Sequence, residues 1–197
     1  MRRLAAALVL LIAAPATAAT PWPELKRDLH LPAVEAGEPC PVSPVDERRD
    51  WADLEIFGGF GTGRGPVYPG VGRDGAITMI PDDSGVIDGT SMYAKLYWFV
   101  RPTYWDRLLL RGRRIDGRGR LRFTGNRSSM RIRRITRRQV FSTYPHRPGD
   151  HRLPRGARGG PGYVLADSPG CYAVQMDGSW FSRIVVFRVD FGELSDL

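Results

Sequence analysis

Lysine is almost missing from this 197-residue chain: Lys26 and Lys95 are the only two, although Lys and Arg together number 29. The positive charge is therefore carried by arginine, whose planar fork of donors suits carboxylate and phosphate. A GC-rich genome raises Arg, Ala, Gly and Pro together, and this accounts for the average arginine content. Only local clustering of arginine carries a functional argument.

Long apolar runs are also missing. The longest, Leu4 to Ala14, has eleven residues, well short of the about 20 that a membrane-spanning helix needs. It follows Met1-Arg2-Arg3 and leads into Ala16-Thr17-Ala18, the order of a cleavable signal peptide over residues 1–18. No Cys follows the apolar region directly, so the lipoprotein alternative fails. The mature chain is expected to be exported, to the periplasm, the cell wall or the medium, with no transmembrane segment once the leader is cut. Losing Arg2 and Arg3 with the leader lowers the formal charge from +8 to +6. The roughly 179 residues that remain suffice for one domain with a real core.

Cysteine is scarce as well: Cys40 and Cys171 are the only pair. In an exported chain an even count reads as disulfide bonding, and two cysteines allow one intramolecular bridge. A metal site needs more clustered ligands.

Nucleophile and zinc signatures are absent too: there is no G-x-S-x-G and no H-E-x-x-H. No catalytic residue, metal ligand or cofactor site is assigned. Gly70-Val71-Gly72-Arg73-Asp74-Gly75 matches G-x-G-x-x-G, but a dinucleotide site requires a strand before it and a helix at the third glycine. Pro69 and the Asp74-Gly75 turn signal argue for a loop. His146, Asp150 and His151 lie close together in sequence, yet Arg147 and Arg152 adjoin them and oppose a dication. A small secreted hydrolase with a loop-assembled site near His146–His151 is the alternative functional reading.

What the chain does have is strand pattern. Residues 19–50 hold prolines at 21, 23, 32, 39, 41 and 44, which exclude a regular helix or central strand and indicate an extended lead-in. From residue 51 onward, short alternating runs are separated by turn residues. In Tyr93 to Arg101, Ala94, Leu96, Trp98 and Val100 share one face and Lys95 and Arg101 the other. Asp116-Gly117 and Asp177-Gly178 each read as hairpin turns between two such runs. No amphipathic helix of ten residues follows the leader. The fold class expected over 51–197 is all-β, a single antiparallel β-sandwich of immunoglobulin-like type.

The stretch Pro169-Gly170-Cys171-Tyr172-Ala173-Val174-Gln175, with Asp177-Gly178-Ser179 and Phe181 to Phe187 after it, resembles the ending of certain small secreted bacterial proteins of unknown function. These also carry a Cys-Pro near the mature start, matched here by Cys40-Pro41-Val42, and Tyr-Trp-containing strands in the middle, matched by Lys95 to Arg101. The resemblance implies an immunoglobulin-type sandwich and no particular chemistry.

The arginine cluster stands apart. From Arg107 to Arg138 there are 13 arginines against one acid, Asp116. Where the strands alternate, Arg111, Arg113, Arg120, Arg122, Arg131, Arg133 and Arg134 are expected to form a basic sheet face. Such a face attracts anionic envelope polymers with no preference for nucleic-acid sequence. Another protein is the other partner considered, through the Gly58 to Gly75 loop with Phe60 and Tyr68 exposed. A non-enzymatic structural or recognition module of the cell envelope is the leading expectation.

Overall fold

The computed structural model describes residues 22–48, 51, 59–82, 91–101, 103–104, 106, 108–123, 129–132 and 158–192; of residues 22, 129–132 and 158–161 only the backbone is described. The expected leader over 1–18 lies outside these residues, as do Arg133, Arg134 and His146–His151.

Strands dominate. They are β1 (Phe60–Gly61), β2 (Val67–Val71), β3 (Ala76–Pro81), β4 (Met92–Val100), β5 (Leu108–Arg114), β6 (Leu121–Phe123), β7 (Ser129–Ile132), β8 (Arg158–Ala166), β9 (Gly170–Gly178) and β10 (Ser182–Phe191); one four-residue helix, α1 (Trp22–Leu25), precedes them. The period-two patterns account for the burial. On β4, Ala94, Leu96, Trp98 and Val100 are buried while Lys95 is exposed. On β9, Tyr172, Val174 and Met176 enter the main core, whereas Cys171 and Ala173 point the other way into a second cluster.

Seven of the strands pair in a closed circuit. β4 pairs with β3, β3 with β10, β10 with β9 and β9 with β5; β6 pairs with β8, and β8 with β4 along its whole length. The circuit closes between β5 and β6 through the antiparallel bridge Arg113↔Arg120. β2 lies on β4, β1 on β2, and β7 on residues 108–111 of β5, the same edge that the closing bridge uses at Arg113. The interior is apolar, with Trp98, Phe123, Tyr172, Phe187, Leu96, Leu108 and Leu110 all nearly or fully buried.

One pairing departs from the all-antiparallel expectation. Ala76–Met79 of β3 runs parallel to Arg188–Phe191 of β10, so the sheet is mixed. A parallel pair requires a long connection between its strands, and residues 82–181 lie between these two. The fold is mostly β, but it is not a purely antiparallel sheet.

The lead-in packs on the domain. Leu25 is fully buried, a contribution of roughly 1.5–3 kcal/mol for a side chain of this size. Val34 N donates to Ile115 O at 3.0 Å, Ser43 N to Val186 O at 2.8 Å, and Gly63 N to Pro44 O at 2.9 Å. Cys40 and Cys171 form a disulfide with Cα atoms 5.4 Å apart, joining positions 131 residues apart in sequence. Leu31, Val34 and Cys40 pack with Ala173 of β9, Val186 of β10 and Ile115, just after β5, on the outer face of the strands. Gly75 has φ +78°, a left-handed conformation that glycine tolerates, and a Cβ there would strike Val42 of the lead-in. Residues 22–48 thus form a strap around the outside of the strand circuit. Among the described residues, no helix is long and apolar enough to cross a membrane.

Candidate functional site

The face of β9 that carries Cys171 and Ala173 also carries Gln175 and Asp177. Both polar residues are fully buried, because the strap crosses above them. Asp177 receives a dense set of donors. Arg111 Nη2 lies 2.7 Å from Oδ2, Ser182 Oγ donates to Oδ1 at 2.7 Å, and Gln175 Nε2 reaches the two oxygens at 3.1 and 3.2 Å. Arg27 Nη1 stands 3.7 Å from Oδ1.

The same donors grip the strap. Gln175 Nε2 donates to Asp28 O at 2.8 Å, and Gln175 Oε1 accepts from His30 N at 2.9 Å. Arg111 donates to the carbonyl of Arg27. Arg27 in turn donates to Phe181 O at 2.6 Å and Ser179 O at 3.3 Å, bracing the turn between β9 and β10. A buried carboxylate with this many partners is a latch: its lone pairs are occupied and solvent does not reach it.

A second pin lies at the other end of the strap. Asp46 accepts from Tyr68 Oη at 2.9 Å and from Arg48 Nε at 2.6 Å, while Trp51 Nε1 donates to Asp46 O at 2.9 Å. The Arg48 guanidinium, outweighing burial and helped by the Tyr68 hydroxyl, holds the Asp46 carboxyl below the usual range. Trp51 covers Gly61 so closely that a Cβ there would meet its ring. Phe60 and Tyr68, expected as exposed loop aromatics, are buried. Phe60 lies beneath the Arg73 guanidinium, 4.2 Å from its centroid, and packs with Trp51, Tyr68 and Phe99.

The basic residues gather where β5 meets β6. Arg113 and Arg120 occupy facing positions across the closing bridge, and both are exposed, as is Arg118 in the turn. Asp167 is the acid beside them, 3.1 Å from Arg120 Nε and 3.0 Å from Arg122 Nη2. Arg120 keeps 78% of its side chain exposed despite that interaction. Among the described residues, nothing engages the guanidinium of Arg113 or of Arg118.

Behind this surface the turn is rigidly held. Arg114 Nε donates to Asp116 Oδ1 at 2.6 Å and its Nη1 to Ser168 Oγ at 2.9 Å, while Asp116 Oδ2 accepts from Cys171 N at 3.0 Å. Burial pushes the Asp116 carboxyl up, but Arg114 and the Cys171 N–H outweigh it and hold the group below the ordinary range. Asp167 behaves alike: burial raises it, and the hydrogen bond from Arg120 with the charges of Arg122 and Arg120 lowers it further.

The arginines named from sequence therefore separate by environment. Arg111 lies under the strap, 12% exposed and bound to Asp177. Arg122 is 17% exposed and bound to Asp167. Arg113 and Arg120 share the exposed corner. Arg131 lies on β7, beside Leu109 of β5, with only its backbone described; Arg133 and Arg134 lie outside the described residues, as does the His146–His151 group. His30 belongs to the strap, and its backbone N–H serves the latch. Gly70 to Gly75 forms the end of β2 and the turn into β3, with no helix after it.

Asp177, Gln175 and Arg27 were missed by sequence reasoning. Asp177-Gly178 reads as a turn, whereas the strand runs through both residues and the chain reverses at 179–181. The signal that finds Asp177 is parity: Cys171, Ala173, Gln175 and Asp177 fall on one face. Comparison with known proteins returns no matching family model, no matching curated protein and no matching solved structure.

Proposed function

We propose that this chain is an exported, non-enzymatic recognition domain of the cell envelope whose β5–β6 corner binds an anionic polymer. The observation that carries the reading is the placement of Arg113 and Arg120 opposite each other across the closing bridge, both exposed. Like charges facing across a strand pair repel, and a polyanion laid over them relieves that repulsion. Their guanidinium forks pair bidentately with phosphate or carboxylate. Arg118 adds a third exposed cation, and the formal charge of +6 left once the leader is cut supplies a long-range field of the same sign. Interactions of this kind go to the repeating charged group, so the partner is defined by charge density and spacing rather than by sequence.

Export rests on the leader, and the Cys40–Cys171 disulfide agrees with an oxidising compartment. The description of the fold as an immunoglobulin-like sandwich, and the likeness to small secreted bacterial proteins, belong to the same proposal. The strap, fastened by the disulfide and the Asp177 latch, gives the rigid scaffold that a recognition surface requires.

Retention on phosphocellulose tests the reading. The wild-type protein is expected to elute at higher salt than Arg113→Gln/Arg120→Gln. A control with the same loss of charge elsewhere, Arg64→Gln/Arg183→Gln, should elute close to wild type. Equal elution of the two variants removes the corner as the binding surface.

A further inference from the structure

The sheet has a triangular opening between β2, β3 and β4. β2 and β3 are joined by a tight turn in which Gly72 N donates to Ala76 O at 2.9 Å. Beyond it the two strands diverge. β2 pairs with β4 only at residues 98–100, and β3 pairs with β4 only at 92–93 before it follows β10. Among the described residues, no strand lies on that edge beside residues 94–96 of β4. A cleft of about 420 Å³ occupies the gap.

The cleft is amphipathic from mouth to floor. Thr78, Tyr93 and Lys95 stand on the outer face of their strands, with Thr78 and Lys95 exposed. Ala94, Leu96 and Ile77 form the floor and belong to the main core, 8%, 2% and 6% exposed. Gly70 and Gly72, the first two glycines of the G-x-G-x-x-G run, leave the β2 side without side chains.

Among the described residues that line the cleft, Lys95 is the charged one. Asp74, in the turn beside Gly72 and Ala76, is paired with Arg188 at 3.2 Å. The Lys95 ammonium lies over the Tyr97 ring, 5.8 Å from its centroid, and no described carboxylate pairs with it. A mostly apolar concavity with one placed cation is the usual form of a small-molecule site.

We propose that this cleft binds a medium-chain acyl carboxylate, with the alkyl chain on the Ala94–Leu96–Ile77 floor and the carboxylate at Lys95. Both parts are needed. The chain supplies apolar surface that acetate lacks, and the ammonium supplies a charge-assisted bond that an alcohol cannot match. The site is separate from the arginine corner and does not depend on it.

Calorimetric titration of the full mature chain with sodium octanoate, hexanoate, acetate and 1-octanol tests the proposal. Octanoate is expected to bind with one-to-one stoichiometry. Hexanoate, two methylenes shorter, should bind about tenfold more weakly, and acetate not measurably. Lys95→Met keeps the aliphatic stem, so it should weaken octanoate about tenfold while leaving 1-octanol unchanged. Thr78→Trp, at an exposed position, should block the mouth and abolish both. Arg113→Gln/Arg120→Gln should bind octanoate as wild type does. Absence of octanoate binding to the wild type, affinity independent of chain length, or unchanged affinity in Lys95→Met overturns the proposal.

Discussion

Arg111 reaches across from β5 to place its Nη2 2.7 Å from the carboxylate of Asp177, a residue with no exposed side-chain surface. The same guanidinium holds the carbonyl of Arg27, so one ion pair joins two strands and the strap. Removing one member of a buried pair strands the other charge, at a cost of about 3–5 kcal/mol. Arg111→Met should therefore destabilise the protein by an amount in that range, measured by urea unfolding. Arg111→Met/Asp177→Leu should cost less than the two single substitutions added together, because the stranded charge is gone. A loss below about 0.5 kcal/mol for Arg111→Met would mean that the latch does not hold the strap.

The disulfide fastens the same strap further along. Its ends lie 131 residues apart in sequence, for which the chain-entropy relation gives about 5 kcal/mol. Cys40→Ser/Cys171→Ser is expected to unfold at markedly lower urea than wild type, and dithiothreitol should shift wild type the same way. Amide exchange should show the greatest loss of protection at Val34, Ser43 and Val186, whose N–H groups link strap and domain.

Acid should weaken the fold. Asp46, Asp116 and Asp167 titrate below the ordinary carboxylate range when folded. Their contribution is complete above the unfolded value of about 3.9 and is lost as pH falls through the lowered folded values. Thermal midpoints should be insensitive to these groups from pH 5 to 8 and fall below about pH 4. Asp116→Asn/Asp167→Asn should flatten part of that acid limb.

At alkaline pH the sign reverses. Burial raises Tyr104 and Tyr172, only partly opposed by Ser179 and Ser168 respectively. For these phenols stability is present below about pH 10 and declines as pH rises through the raised folded values. Tyr172→Phe should reduce the loss, read from thermal midpoints between pH 9 and 11.

How much of this was legible in the sequence follows from the range of each signal. Alternation is local, so the buried face of β4 with Ala94, Leu96, Trp98 and Val100, and the exposure of Lys95, could be read directly. The Cys40–Cys171 bridge needed only a count of two and the export that the leader leads one to expect. Strand partners are not local. β6 follows the Asp116-Gly117 turn but pairs with β8, meeting β5 through a single bridge. The parallel β3–β10 pair depends on chain closure that no window of residues contains.

The candidate site was legible in composition and not in geometry. Thirteen arginines between 107 and 138 mark a basic region, but the acids that neutralise part of it, Asp167 and Asp177, come from β9 and the turn before it. Strand alternation places Arg111 and Arg113 on one face, yet only the strap decides that Arg111 is covered and Arg113 exposed.

The central claim is that the corner built by Arg113 and Arg120 engages a polymer of repeating negative charge. The most direct measurement is the dependence of the binding constant for long-chain polyphosphate on salt concentration, for wild type and for Arg113→Gln/Arg120→Gln. The account predicts a steep linear fall of log K with log salt for wild type. For the variant the slope should be smaller by about 1.5–2, because each missing arginine leaves one phosphate with its counterion. Binding that ignores salt, or equal slopes for the two proteins, would contradict it.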